Sequence, residues 1–196
     1  MTKPVEIADI HAGGFSGPPA AGYPGGAHDP EESMAKCLLL SAALLLIAAA
    51  PPRDLPDPQR TPGAVNPAIT QANIDATICS RHWSTRSIRP PEDYTYDLKR
   101  HQLRAWHYRD RRTRDYEEDH LISLELGGAP RNPRNLWPEP RKGHCGARAK
   151  DRLENVLKRA VCDGDITLRQ ARHAIATNWI AAYRAYVGPI RCSATR

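Results

Sequence analysis

A chain of 196 residues allows one modest domain with tails and excludes two full ones. Its 28 Lys+Arg stand against 22 Asp+Glu, a formal +6; the first fifty residues hold 2 and 5 of these, so Pro51–Arg196 carries 26 against 17, a net +9. Basic charge concentrated in that part favours a polyanionic partner, although a merely basic soluble protein would look the same. No internal repeat, P-loop or dinucleotide-binding fingerprint occurs, which excludes the nucleotide-binding and solenoid classes those patterns mark.

Residues 1–33 are rich in Gly, Pro and Ala, with little periodic apolar content, and read as a disordered extension. Met34 opens MAKCLLLSAALLLIAAAPP, in which Lys36 precedes the apolar run Cys37–Ala50. That is the layout of a secretory signal peptide, and the run is too short for a comfortable membrane span. We expect Met34 to be the true initiator, so that residues 1–33 need not be translated and residues 34–50 direct export to the periplasm or beyond. A cytoplasmic or membrane-anchored protein is the alternative. Pro51–Gly63 reads as a Pro-rich linker, leaving residues 64–190 as the folded domain.

Asn66-Pro67 reads as a cap and first turn of a short helix ending near Thr77. Cys79–Pro91 reads as irregular. Thr95 would cap a helix reaching about Trp106, with Tyr94, Leu98 and Gln102 on one side. Trp83 and Trp106 read as packing residues more than as base-stacking platforms. Arg109–Arg114 is a dense basic run, either a phosphate grip or a solvated loop. Leu121, Ile122 and Leu124 fit a first strand and Asn135-Leu136-Trp137 a second, joined by a loop stiffened by Pro130 and Pro133. Leu153, Val156, Leu157, Ala160 and Val161 recur at helical spacing, with Glu154–Lys158 as a favourable i,i+4 pair. Asp163-Gly164 ends that helix. Thr167 and Gln170 form a capping box for a last helix to about Val187, with Leu168, Ala171, Ile175, Trp179 and Tyr183 as its core stripe and Gly188-Pro189 as its stop.

Beyond the apolar run stand Cys79, Cys145, Cys162 and Cys192, an even number that suits two disulfides in an oxidising compartment. Three connectivities are open, of which we favour Cys79–Cys162 with Cys145–Cys192. Structural zinc, using Cys79-x-x-His82 and His144-Cys145, is the competing reading, weakened by the lack of a second close cysteine pair.

The chemistry lies in YEEDHLISLELGGAPRNPRNLWPEPRKGHCGARAKDRLE, Tyr116–Glu154. Asp119 and His120 are adjacent, a Gly127-Gly128 turn follows, Asn135 comes fifteen residues after His120, and His144 nine after that. An acidic residue next to a histidine can place a metal ligand beside a general base, since an imidazole titrating near neutrality is suited to taking a proton from water. Any one of these residues has an ordinary reading: the acid–histidine pair as solvated surface, Asn135 as a turn residue beside Pro133, His144 as an exposed loop residue. The spaced pattern as a whole is what lifts them.

In that pattern the chain resembles the HNH endonuclease superfamily, in particular bacterial HNH-like proteins of the DHLIxLELGG…NLWPEP type. The likeness is clearest over Thr61–Val187, with its core at Glu118–Leu157. It implies a small α+β domain, mainly helical, around a ββα-metal core, and a divalent-metal-dependent endonuclease acting as a monomer with no membrane span after processing. His120 would activate water and Asn135 would orient it by fastening the loop between the strands. Asp119 and His144 would hold one ion (Mg, Mn or Zn), with Asp151 or Glu154 taking the place of His144 if that residue is not the ligand. The metal would stabilise the departing 3′ oxygen and leave a 5′ phosphate. Arg111, Arg112, Arg114, Arg141, Lys142 and Lys150 would meet the nucleic acid, DNA being favoured over RNA. Because neighbours on an ideal strand point to opposite faces, Asp119 and His120 share a site only at a distorted strand end. No side chain reads as a covalent nucleophile, since Ser123 has neither a base nor an orienting group in the pattern. A catalytically silent nucleic-acid-binding or interaction domain, stabilised by disulfides, is the alternative.

Overall fold

The computed structural model describes residues 54–192. The extension and signal-like segment expected at 1–33 and 34–50 lie outside these residues. What is described is an α+β domain: three helices and one two-stranded antiparallel sheet, linked by short 3-10 turns. Among the described residues no helix is long and apolar enough to cross a membrane.

From Asp54 onward the Pro-rich stretch is not a free linker but part of this domain. Leu55 packs against the core, Thr61 is buried, and the indole of Trp179 donates to the Asp54 carbonyl at 2.9 Å. The helix expected from Asn66 shrinks to a 3-10 turn, Gln71–Ala76. Asn66 instead uses its side chain to accept from the Ala68 amide at 3.0 Å, a local bond that competes with helix formation. Helix α1 spans Glu92–Ala105, opening one turn earlier than Thr95 suggests, after Pro91 and with Glu92 and Asp93 in its first turn.

Strand β1 is Tyr116–His120 and β2 is Leu136–Pro140, paired in continuous register from Tyr116↔Pro140 to His120↔Leu136. The first strand is therefore the charged YEEDH, not the apolar residues that follow it. Leu121, Ile122, Leu124 and Leu126 leave the sheet and are buried, the last two in a 3-10 turn ended by Gly127 at φ 70°. Gly128 is required by close approach: a Cβ there would overlap the Ile122 carbonyl and stand 2.8 Å from Asn135 Nδ2.

Helix α2, Ala147–Cys162, and helix α3, Leu168–Tyr186, form the other layer. Leu153, Leu157 and Val161 of α2 meet Leu168, Ala171, Ile175, Trp179 and Tyr183 of α3, all buried, as their spacing predicts. Both sides of the Thr167–Gln170 capping box are made. The disulfides are Cys79–Cys162 and Cys145–Cys192, with Cα separations of 5.4 and 5.2 Å, which is the favoured pairing. Neither Cys79 nor Cys145 is free to bind zinc. Such bridges belong to an oxidising compartment.

Candidate active site

The hairpin is held by its own polar residues. Asn135, fully buried, closes β2's entry turn, and its carboxamide is completely used. Oδ1 accepts from the Ile122 amide at 3.0 Å and the Ala64 amide at 3.3 Å; Nδ2 donates to the Ile122 and Ala129 carbonyls at 3.0 and 3.2 Å. One side chain thus ties the segment just after His120 to the segment just before Pro130. That matters because His120 Nε2 lies 2.9 Å from the Pro130 carbonyl. A carbonyl only accepts, so Nε2 carries the proton and, in the neutral ring, Nδ1 holds the free lone pair. Burial lowers the pKa of the ring, with the neighbouring Asp119 charge acting in the opposite direction. A neutral imidazole with one open nitrogen is the form a general base needs.

Asp119 and His120 are the last two residues of β1 and both line one cavity of about 360 Å³, with Glu117, Glu125, Asp151, Glu154 and Arg89 also in its wall. The two neighbours share a site because the strand ends there; the register shows no bulge. The Asp119 side chain turns towards α2. There the Lys150 ammonium meets Asp119 Oδ2 at 2.5 Å, the His120 carbonyl at 2.8 Å, and Glu154 Oε1.

Lys150 is fully buried, so its assignment to an exposed nucleic-acid face is corrected, as is the Glu154–Lys158 pair. Glu154 turns back to Lys150, while Lys158 lies 5.9 Å over the Trp83 ring. Burial works against the Lys150 charge, but Asp119, Glu154 and Glu139 outweigh it and raise its pKa well above the ordinary value. Asp119 responds in kind: burial would raise it, and the Lys150 charge outweighs that and brings it below the usual range. Glu139, buried on β2, is pushed well up by burial, with Asp119 adding to the rise and Lys150 opposing it. A protonated Glu139 can donate to Asp119. Glu154 is pushed up to about 8, again by burial first.

His144 is elsewhere. It sits exposed in the loop between β2 and α2 and lines a different cavity, with Trp106, Tyr108 and Tyr116. It is not brought into the cavity of Asp119 and His120; the α2 carboxylates Asp151 and Glu154 are. Glycines at 143 and 146 keep this stretch out of the helix, which starts only at Ala147. Asp119, Asp151 and Glu154 are hard oxygen donors of the kind Mg and Mn take, but their carboxylates do not gather around one point, and Lys150 stands between Asp119 and Glu154. Of the five acidic side chains in the wall, Asp119 and Glu154 are met by Lys150 and Glu117 by Arg141. Among the described residues, three potential ligand atoms gather within 4.8 Å only at Asp54, Cys145 and Cys192, where both sulfurs are in the disulfide.

The remaining basic candidates divide. Arg112 is spent on Asp110 and Asp115, at 3.0 and 2.9 Å, and Arg141 on Glu117 at 3.1 Å and the Tyr116 carbonyl at 3.0 Å. Arg111 donates to the Tyr108 carbonyl at 3.2 Å; Arg114 and Lys142 are exposed. Two members of the site escaped sequence reasoning: Glu139, hidden in the proline-flanked PEP of β2, and Lys150 as a buried cation. Its i,i+4 spacing to Glu154 was the one available signal for the latter. Comparison of the chain with protein-family models, with curated proteins and with solved structures found no match.

Proposed function

We propose that this chain is a divalent-metal-dependent endonuclease of the HNH type, hydrolysing phosphodiester bonds in nucleic acid, DNA in preference to RNA, after export through the signal-like segment at Met34. The observation that carries the reading is His120, held through Nε2 by the Pro130 carbonyl and set in one cavity with Asp119, Asp151 and Glu154. In this reading Nδ1 of His120 takes the proton from the attacking water. Asn135 acts through the backbone, fixing the two segments that set the distance from His120 to Pro130. Lys150 keeps Asp119 ionised and in place. A bound ion would neutralise charge on the phosphate and the departing oxygen; Asp119, Asp151 and Glu154 are the oxygen donors proposed for it, and their side chains would have to draw together to share it.

One observation favours the second reading, a catalytically silent nucleic-acid-binding domain: an ammonium already neutralises the Asp119 carboxylate. Supercoiled-plasmid nicking by the full chain with Mg²⁺ or Mn²⁺, against EDTA and against His120→Ala, separates the two. We expect chelator-sensitive nicking that falls by about 10²-fold or more in His120→Ala. Folded protein that binds DNA and never nicks it would establish the silent domain.

A further inference from the structure

The cavity at His120 does not stand alone. It shares Glu117 and Asp151 with a second cavity, of about 610 Å³, whose wall includes the cations Arg141, Lys142 and Arg148. That one shares Lys142 and Gly143 with a third, of about 710 Å³, walled by Trp106, Tyr108, Tyr116 and Arg109. These shared residues set the three cavities side by side along β1, from His120 back to Tyr116. Four residue steps at strand rise put the two ends about 14 Å apart.

The chemistry changes along that path: acidic beside the histidine, more basic than acidic in the middle, and aromatic with mixed charge at the far end, where Asp57, Asp110 and Asp115 are paired with Arg60 and Arg112. Arg109 and Lys142 are exposed, and among the described residues neither makes an ion pair. Trp106 is only half-buried and lines the third cavity together with Arg60, whose guanidinium lies 5.5 Å over one face of the indole and leaves the other for a ligand. The two tyrosines beside it are fixed, packed edge to face at 5.3 Å, and the Tyr108 hydroxyl donates to the Pro138 carbonyl at 3.3 Å. Stacking on an aromatic platform is available only to a base that is not paired in a duplex, and a cationic groove beside it follows the sugar–phosphate chain. A cavity of this size is also within the range that encloses a small organic group.

We propose that these cavities form a track for a single strand of nucleic acid, with the phosphate chain on Lys142, Arg148 and Arg109 and one unpaired base held against Trp106. The nuclease reading enters only in placing the cleaved phosphate at the His120 end. The track makes the substrate single-stranded or locally unpaired, and it reassigns Trp106 from packing to base capture.

Fluorescence anisotropy of a labelled d(T)8 strand, and of the same strand annealed to its complement, tests this on the full chain carrying His120→Ala so that nothing is cut. The single strand should bind more tightly than the duplex. Trp106→Ala should weaken it about tenfold, while Trp106→Phe keeps most of the affinity. Lys142→Ala with Arg109→Ala, both at exposed positions, should weaken it and flatten its salt dependence. Single-strand binding unchanged in the lysine–arginine variant, or duplex bound as well as single strand, overturns the track whatever the nicking assay gives. Trp106-dependent binding in a chain that never nicks plasmid or single strand sinks the nuclease reading and leaves the track standing.

Discussion

Taking an ammonium out of water costs several kcal/mol, and only close opposite charge and complete hydrogen bonding repay it. Lys150 has both, from Asp119, Glu154 and the His120 carbonyl. Removing one partner of such a cage is worse than never having built it. Lys150→Met should destabilise the domain by about 3–5 kcal/mol, visible as a lower midpoint in urea, because Asp119 and Glu154 then lose the cation between them. An unchanged midpoint would mean that the cage opens to water. Glu118, on the same strand, is the opposite case. Its carboxylate oxygens are buried with no hydrogen-bond partner, and burial, with Asp119 adding to it and Lys99 opposing, pushes its pKa from 4.5 to about 9. The folded state binds a proton there that the unfolded state releases. The stabilisation is complete below pH 4.5 and drains away as pH rises towards 9. Glu118→Gln should therefore melt with wild type near pH 5 and about 4 °C above it at pH 8.5, measured in EDTA by differential scanning calorimetry. Parallel profiles at both pH values would refute the assignment.

At the scale of elements, the helices were legible because their apolar residues repeat at helical spacing and their caps are spelled out, as Thr167 and Gln170 show. The hairpin was misplaced for a physical reason. A strand is recognised by apolar alternation, but YEEDH is charged along its length, and its burial is met by Lys99, Lys150 and Arg141 from outside the strand. The apolar LISLEL beside it looks more strand-like and instead turns into the core. Lys150 was misread by the same rule, since an apolar stripe cannot reveal a cation that is buried by pairing. Asn135 was legible as a fastening residue, yet the residues it fastens, Ala64 and Ala129 among them, lie too far apart in the chain for spacing to name them. His144 failed as a member of the His120 cavity because the Gly143–Gly146 stretch postpones α2 and leaves the histidine on the far side of the hairpin's base.

Across the whole molecule, the two bridges span 83 and 47 residues, and closing loops of that length stabilises a fold by about 4–5 kcal/mol each on chain entropy. That is on the order of the net stability of an ordinary domain, about 5–15 kcal/mol. Reduction with a strong dithiol should lower the melting temperature by about 10 °C or more, and a reduced chain that melts where the oxidised one does would show the bridges to be dispensable. Their placement matters as much as their number. Cys162 is the last residue of α2 and Cys145 stands two residues before its first, so one bridge ties each end of the helix that carries Lys150, Asp151 and Glu154. The acid wall of the cavity is a beam clamped at both supports, while the histidine rests on a separate span, the hairpin. Oxidation fastens the beam, and Lys150 joins it to the span. A copy held in a reducing cytosol would own every side chain of the site and lack the covalent clamps on the helix that carries three of them.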